Sequence, residues 1–477
     1  MVASPFRQLS YASLACRGSM RHAVRACLLS FLFRGRVVPG VSFPFPHHSI
    51  CHCPPVEHFI SACEFGWIPS GDCLYNPGHA GVDRQIQPIK HRRAGLEEMT
   101  QMVRVKGGKA GAACLCAGIA MLAAAGAAHA QSSVTLYGIV DAGVTYTNNL
   151  KGHSAWQFTG GNESGPRWGL LGSEDLGGGL KANFRLENGF NVANGALGQG
   201  GRMFGRSAWV GLSGANWGAV TLGRQYNSTQ DVLGSLQMSS FLAQYSTHPF
   251  DNDDINNTFR TNNAVKYVSP TVAGLQANLV YGFSNSTGFA NDNSWSAGLT
   301  YVNGPLNAGA AYARMNHPAV SATGAVASDN YYPASASVFG AGLAHAIRQQ
   351  IWGAGGNYAF GPATLGLLYT GSNFAMATGG SLRFDNYEGS LRYLFTPALM
   401  AAAGYTYTQV ARGDAGGHYH QVSAGAQYLL SKRTDVYVNG FYQKASAAVG
   451  GAWINGTDGP SSTTSQVALV AGIRQKF

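Results

Sequence analysis

The chain has 477 residues, with 32 Lys+Arg against 22 Asp+Glu, 64 Gly and 8 Cys. Charged residues are only 11%, where a soluble globular chain carries about 25%, and the 45% hydrophobic content excludes a disordered chain. Glycine at 64 of 477 positions argues against a mainly helical protein, because glycine is costly inside a helix.

Residues 1–98 hold scattered Cys, His and Pro with no period of 2 or 3.6. Cys51-His52-Cys53 lacks the spacing of a CxxC pair, so no metal site is expected there. All eight cysteines fall before residue 117. Residues 1–130 hold 13 basic and 6 acidic side chains, and residues 131–477 hold 19 and 16. The excess positive charge is therefore concentrated in the N-terminal part, and nucleic-acid binding by the main body is not expected. Residues 1–98 read as a non-native or disordered extension with the start assigned too far upstream, Met99 or Met102 being the expected start.

Residues 99–130 read as a secretory signal peptide. Arg104, Lys106 and Lys109 form a basic region, an apolar run follows, and Ala128-His129-Ala130 is a small-x-small cleavage site. Cleavage after Ala130 leaves Gln131 first, with residues 131–477 as one domain.

From Val134 the period is two. Val134, Leu136, Val140, Ala142 and Val144 alternate with Thr135, Tyr137, Asp141 and Thr145. The same alternation returns at Leu180–Glu187, Tyr387–Phe395, Gln421–Tyr428 and Val467–Phe477. Such segments have one apolar and one polar face. Sixteen candidate strands begin near residues 134, 166, 179, 204, 217, 262, 274, 294, 306, 349, 362, 384, 398, 418, 434 and 465, with ambiguous parity near 204 and 217. Tight turns alternate with longer polar stretches such as 147–165, 226–259, 375–384 and 410–418.

A soluble sandwich or propeller packs such apolar faces together; a transmembrane barrel turns them to lipid around a wet lumen. Strands of ~10 residues, even strand number and alternating short and long connections favour the barrel. Residues 131–477 contain no run of ~20 apolar residues, which excludes a helical membrane protein, and a sheet in lipid must close.

Val134-Thr-Leu-Tyr-Gly138, the 167–179 run RWGLLGSEDLGGG, the 218–225 run GAVTLGRQ, Tyr267-Val-Ser-Pro270 and the final Phe477 resemble, in this order, the Gram-negative general porins. The resemblance implies an all-β fold, a 16-stranded antiparallel transmembrane β-barrel with short periplasmic turns, long extracellular loops and an inward-folded third loop. It further implies a homotrimer in the bacterial outer membrane, in contact with outer-membrane lipid and lipopolysaccharide, passing small ions and solutes by passive diffusion, without a cofactor. Phe477 would be read by the barrel-assembly machinery. The small or aromatic residues Ala142, Gly172, Trp209 and Gly211 are expected on the outer face that meets a neighbouring barrel.

The resemblance places a basic constriction at Arg167, Arg206 and Arg260. Parity points Lys181, Arg185, Glu187, Lys266 and Arg392 into the pore. The third loop, 226–259, offers Asp231, Asp251, Asp253 and Asp254, the last three either near the pore or held at the loop base or by Arg260. Gln237 and Phe241 stand where cation-selective members carry acids, so weak anion selectivity is expected. Asp329 and Asp458 are expected to lie too far off to matter. His418-x-His420 is not expected to bind metal. Two other classes are a barrel enzyme of lipase or protease type and a structural or adhesive surface barrel, but residues 131–477 contain no Gly-x-Ser-x-Gly, P-loop or HExxH.

Overall fold

A computed structural model describes residues 132–477. The expected extension and signal peptide lie outside the described residues. The strands are β1 (Ser133–Leu150), β2 (His153–Gly160), β3 (Arg167–Gly177), β4 (Leu180–Gly189), β5 (Ser207–Gly214), β6 (Gly218–Gln225), β7 (Thr261–Val268), β8 (Leu275–Gly282), β9 (Asn293–Asn303) and β10 (Leu306–Asn316). A two-residue hairpin in the next loop supplies β11 (Ser337–Val338) and β12 (Ala341–Gly342). The wall continues with β13 (Ala346–Phe360), β14 (Ala363–Met376), β15 (Ser381–Leu394), β16 (Leu399–Arg412), β17 (Ala415–Leu429), β18 (Thr434–Ala445) and β19 (Ser465–Lys476).

All strands except β11 and β12 form one antiparallel sheet that closes where β1 pairs with β19. β1 pairs with β3 along its first half and with β2 along its second. Those two strands therefore share one wall position, and the barrel has sixteen. At the seam Phe477 and Gly138 exchange backbone hydrogen bonds of 3.0 Å. The Phe477 ring covers Gly138 so closely that a Cβ there would meet its Cζ at 2.3 Å.

Exposure along the register decides between the two candidate architectures. Val134, Leu136, Val210, Leu222, Leu367, Leu391 and Leu469 point outward and are exposed, while Asp141, Thr145, Glu187, Thr370, Asn386 and Gln443 point inward and are buried. A protein with its large apolar side chains outside and its polar ones inside is built for lipid.

Three sequence expectations change. Trp209 pairs with Arg185, and Gly211 with Asn183. Both thus face the lumen, and of the expected outer patch Ala142 and Gly172 remain outward. The stretch 147–165 is mostly strand: β1 runs to Leu150, turns through Lys151 and Gly152, both at positive φ, and returns as β2. The stretches 375–384 and 410–418 shrink to tight turns, because β14 to β17 continue with Arg383, Asp385, Gln409 and His418 on their outer faces. Strand ends that rise past the apolar band lose the contrast between faces, so their pattern no longer reads as strand.

The interior is filled from one side by loops. Phe259, Tyr331, Tyr332, Val338 and Leu343 pack on the inward-facing Ile351, Phe374, Leu382, Phe384 and Tyr419. The loop after β10 thus folds inward together with the third loop.

Candidate pore constriction

The third loop begins with α1 (Ser228–Leu233), capped by Asn227, whose side chain accepts from Gln230 N–H. Val232 and Leu233 lie on the inward faces of Gly298, Gly309 and Gly353, where any Cβ would come within 3 Å of them. Three glycines on neighbouring strands thus make room for the helix. The loop then follows the inner wall. Ser228 N–H donates to Ser296 on β9 (2.9 Å), Met238 N–H to Glu388 on β15 (2.6 Å) and Gln421 Nε2 on β17 to Tyr245 O (3.0 Å). Tyr245 reaches Thr145 on β1 at 3.0 Å, and Gln244 N–H donates to Asn162 O at 2.8 Å.

Facing it, β3 to β7 and the chain just before β5 and β7 bring the basic residues together. Glu187 is fully buried; its Oε1 accepts from Arg206 Nε (2.8 Å), and its Oε2 from Arg185 Nη2 (2.5 Å) and the Tyr137 hydroxyl (2.8 Å). Arg206 Nη2 also donates to the Tyr226 hydroxyl at 2.9 Å, and the Arg260 guanidinium lies over the Tyr226 ring, 5.4 Å from its centre. Arg167 donates from Nε to Gly165 O at 2.9 Å and is within electrostatic reach of Arg206, Arg185 and Glu187. Arg206 and Arg185 therefore hold one carboxylate, with Arg167 within electrostatic reach and Arg260 adjoining through Tyr226. Burial would raise the Tyr226 phenol, but Arg206 and Arg260 prevail and hold it below its usual value. Arg206 and Arg260 are buried, and Arg167 and Arg185 are partly open. Lys181 is exposed on the same face of β4. Lys266 forms an ion pair with Asp231, which also accepts from Asn278 Nδ2. Arg392 lies over Phe241, 5.0 Å from its ring centre.

The other loop acids are buried. Asp251 accepts from Asn256 N–H, Thr258 N–H and the Thr258 hydroxyl. Burial, with Asp253 adding to it, pushes its carboxyl up to about 7. Asp254 accepts from Phe259 N–H and Asn227 Nδ2, and burial followed by Asp251 holds it well above the usual carboxylate range. Asp253 pairs with His248 at 2.7 Å. Gln237 and Phe241 are buried too, Gln237 donating to Ile255 O at 2.7 Å.

Some participants were not legible beforehand. The 161–166 segment between β2 and β3 turns inward, with Glu163 and Ser164 N–H both donating to Asp141 Oδ2 at 2.7 Å. Asn439 Nδ2 donates to Glu163 at 2.6 Å. His248 contacts Glu388 at 3.3 Å besides Asp253. The polar alternation of β1 flagged Asp141; nothing local flagged His248 or Glu163. Asp329 is not isolated, since it pairs with Arg202 at 2.7 Å and both lie within electrostatic reach of Arg224. Asp458 accepts from Gln157 at 2.6 Å. His418 and His420 point outward, His420 meeting the Tyr405 hydroxyl at 2.6 Å. Among the described residues no group of three or more His, Cys, Asp or Glu is placed to hold a metal ion.

The profile of the Gram-negative porin family matches residues 117–448. An outer membrane porin protein of Bordetella pertussis is 34% identical over 403 residues, covering 77% of this chain and 98% of its own. The outer membrane porin protein 32 of Delftia acidovorans is 33% identical, covering 75% and 98%. Among solved structures, an anion-selective porin from Comamonas acidovorans superposes with a TM-score of 0.60 at 28% identity, covering 73% of this chain and all of its own.

Proposed function

The chain belongs to the Gram-negative porin family and is an outer-membrane porin channel, and on that premise we propose that it passes small hydrophilic solutes with a weak preference for anions. One observation carries this reading: four guanidiniums gather on one wall around Glu187 and Tyr226, while the facing loop buries Asp251, Asp253 and Asp254. The remaining acid of the third loop, Asp231, is matched by Lys266. Fields in a pore are set by charges within about 8–10 Å at physiological salt, so Arg167, Arg185, Arg206 and Arg260 outweigh Glu187 at this level. Arg167, Arg206 and Arg260 form the constriction; Lys181 and Arg185 extend the positive strip along β4, and Arg392 adds a charge beside the loop. The anion selectivity named for the Comamonas acidovorans relative supports the same sign.

The barrel acts by positioning charge around water, with no catalytic step, cofactor or metal. Its export uses the 99–130 signal peptide, cleaved after Ala130, and the functional domain is 131–477, with 1–98 outside it. The functional unit is a homotrimer that packs through the outer faces of β1 and β3, where Ala142 is small and the Phe184 ring lies over Gly172. Phe477, outward and seated at the seam, is the residue read by the assembly machinery, and outer-membrane lipid and lipopolysaccharide surround the rest. Single-channel recording in planar bilayers tests the channel reading. Stepwise ohmic conductance supports it, and a barrel that inserts yet conducts nothing would favour a plugged structural or adhesive barrel.

A further inference from the structure

The third loop (226–259), the loop after β10 (317–345) and the last loop (446–464) together line a cavity of about 250 Å³ at the long-loop end of the barrel. Two half-buried aromatic rings, Phe250 and Trp453, meet in it edge to face, with 5.6 Å between centres and 85° between planes. The amides of Gln244, Asn256 and Asn455, the Thr258 hydroxyl and Asp251 supply its polar lining. Pro333 and Gly456 are exposed at its rim.

The backbone beside the cavity is strained. Phe250 (φ 62°), Asp251 (φ 49°) and Asn257 (φ 63°) lie in the left-handed region. Non-glycine residues hold that conformation where their surroundings over-determine it, and such strain gathers at functional sites. Here three long-range bonds do so. Phe250 N–H donates to Asn455 Oδ1 at 3.0 Å, Asn455 Nδ2 donates to His248 O at 2.6 Å, and the Tyr332 hydroxyl donates to Asp251 O at 3.0 Å. The cavity is therefore held in shape without a ligand, which lowers the ordering cost of binding one.

Its lining also says what would bind. No arginine or lysine is among the residues that line it. Its one acid is engaged inside the third loop: Asp251 Oδ1 accepts from Asn256 N–H, and Oδ2 from the Thr258 N–H and hydroxyl. The indole N–H donates to Thr457 O at 3.2 Å, so Trp453 offers the cavity its ring alone. By contrast, Gln244 and Asn256 bond to the protein through their backbones, which leaves both side-chain amides free. An amide can donate to one hydroxyl and accept from another, and polarised C–H bonds settle on the negative face of an aromatic ring. Ring surface beside neutral amides, without a cation, matches an uncharged ring with hydroxyls on its rim and C–H bonds on its face.

We infer that this cavity binds one neutral pyranose ring, its C–H face against Trp453 and its hydroxyls on Gln244 and Asn256. The site is separate from the arginines of the constriction and goes beyond the anion preference proposed above. Gln244 and Gly456 also line a neighbouring space of about 400 Å³ that reaches Arg206, so a bound sugar stands beside the path to the constriction.

The test uses the full barrel refolded in a detergent without a sugar headgroup. It is titrated with the methyl pyranosides of glucose, galactose and mannose and followed by saturation-transfer NMR. At least one of the three binds saturably to the wild type. The Gln244→Ala/Asn256→Ala double variant, which removes no bond within the protein, loses about fivefold or more, and Trp453→Leu loses as much. Heat-shifted gel mobility establishes that each variant is folded, and the double variant conducts like the wild type. Maltose or lactose bound within about tenfold of the single ring assigns the site to the terminal sugar of a glycan; weaker binding of both assigns it to a free solute. Absence of saturable binding by all three pyranosides, equal binding by the double variant, or tighter binding of glucose 6-phosphate than of the neutral sugars would each overturn the site. A barrel that binds the sugar but never conducts would instead overturn the channel reading and leave this one standing.

Discussion

Asp253 Oδ2 lies 2.7 Å from His248 Nδ1, with neither side chain exposed. The other ring nitrogen faces Glu388 of β15 at 3.3 Å, and Glu388 also accepts from Met238 N–H. Asp253 further accepts from Thr370 and lies 3.4 Å from Asn386 Nδ2. One imidazole therefore joins two parts of the third loop to the wall strands β14 and β15. Asp253 thus serves as a fastener of the loop.

His248→Ala removes the cation between two buried carboxylates and should cost about 3–5 kcal/mol, the usual penalty for stripping one partner from a buried pair. Because the loop stands in the pore, the channel should also become noisy, with sub-conductance steps. Urea-driven unfolding in lipid and single-channel traces check both; a quiet channel of wild-type stability would show that the clamp is dispensable.

The clamp also sets a pH window. Burial alone would lower the His248 imidazole, but Asp253 first and then Glu388 raise it from 6.5 to about 10. A group whose folded value is raised stabilises fully below its unfolded value and loses that contribution as pH rises through the folded one. Loop attachment should weaken from about pH 6.5 to 10. Asp251, raised from 3.8 to about 7, acts in the same direction over a lower window. Channel noise recorded from pH 6 to 10 should rise in the wild type. In His248→Gln the rise above pH 8 should vanish.

Selectivity should change with pH through Glu163. Burial lifts its carboxyl from 4.5 to about 7, against a lowering by Asn439 and Arg474, with Asp141 and Asp435 also facing it. Its negative charge therefore appears as pH rises through about 7. The anion preference should be larger at pH 5.5 than at pH 8.5, and Glu163→Gln should flatten the difference. An unchanged pH dependence in that variant would move the titrating group elsewhere.

Leu391 points to lipid and Asn183 to the lumen. Leu391→Arg should cost about 2–4 kcal/mol at mid-membrane depth, and Asn183→Arg, beside Lys181 and Arg185 on the wet face, should cost less than 1. Ser390, although it too faces inward, is covered, so it is not a neutral comparison site. Equal losses in reversible unfolding would contradict the assigned faces.

The barrel was legible because lipid enforces period two: Leu391 and Ser390 take opposite faces whatever surrounds them. Legibility ended where that contrast ends. Trp209 and Gly211 sit on a short strand whose apolar residues face both ways, and Arg383 or His418 lie on strand ends above the apolar band. The grouping of Arg167, Arg206 and Arg260 was expected from the family resemblance, not from any local pattern. The fate of the loop acids was not legible, because burial of Asp251, Asp253 and Asp254 depends on partners far away in sequence. Thr370 and Glu388, for instance, are more than 100 residues from His248.

The reversal potential in a KCl gradient tests the central claim most directly. The wild type should show a modest anion preference. Arg206→Ala, which leaves Glu187 half-paired, and Arg185→Ala should each shift it toward cations, while Lys432→Ala, on a short turn, should leave it unchanged. A strongly cation-selective wild type, unmoved by loss of Arg206 or Arg185, would show that acids rather than these arginines set the field and would contradict the constriction described here.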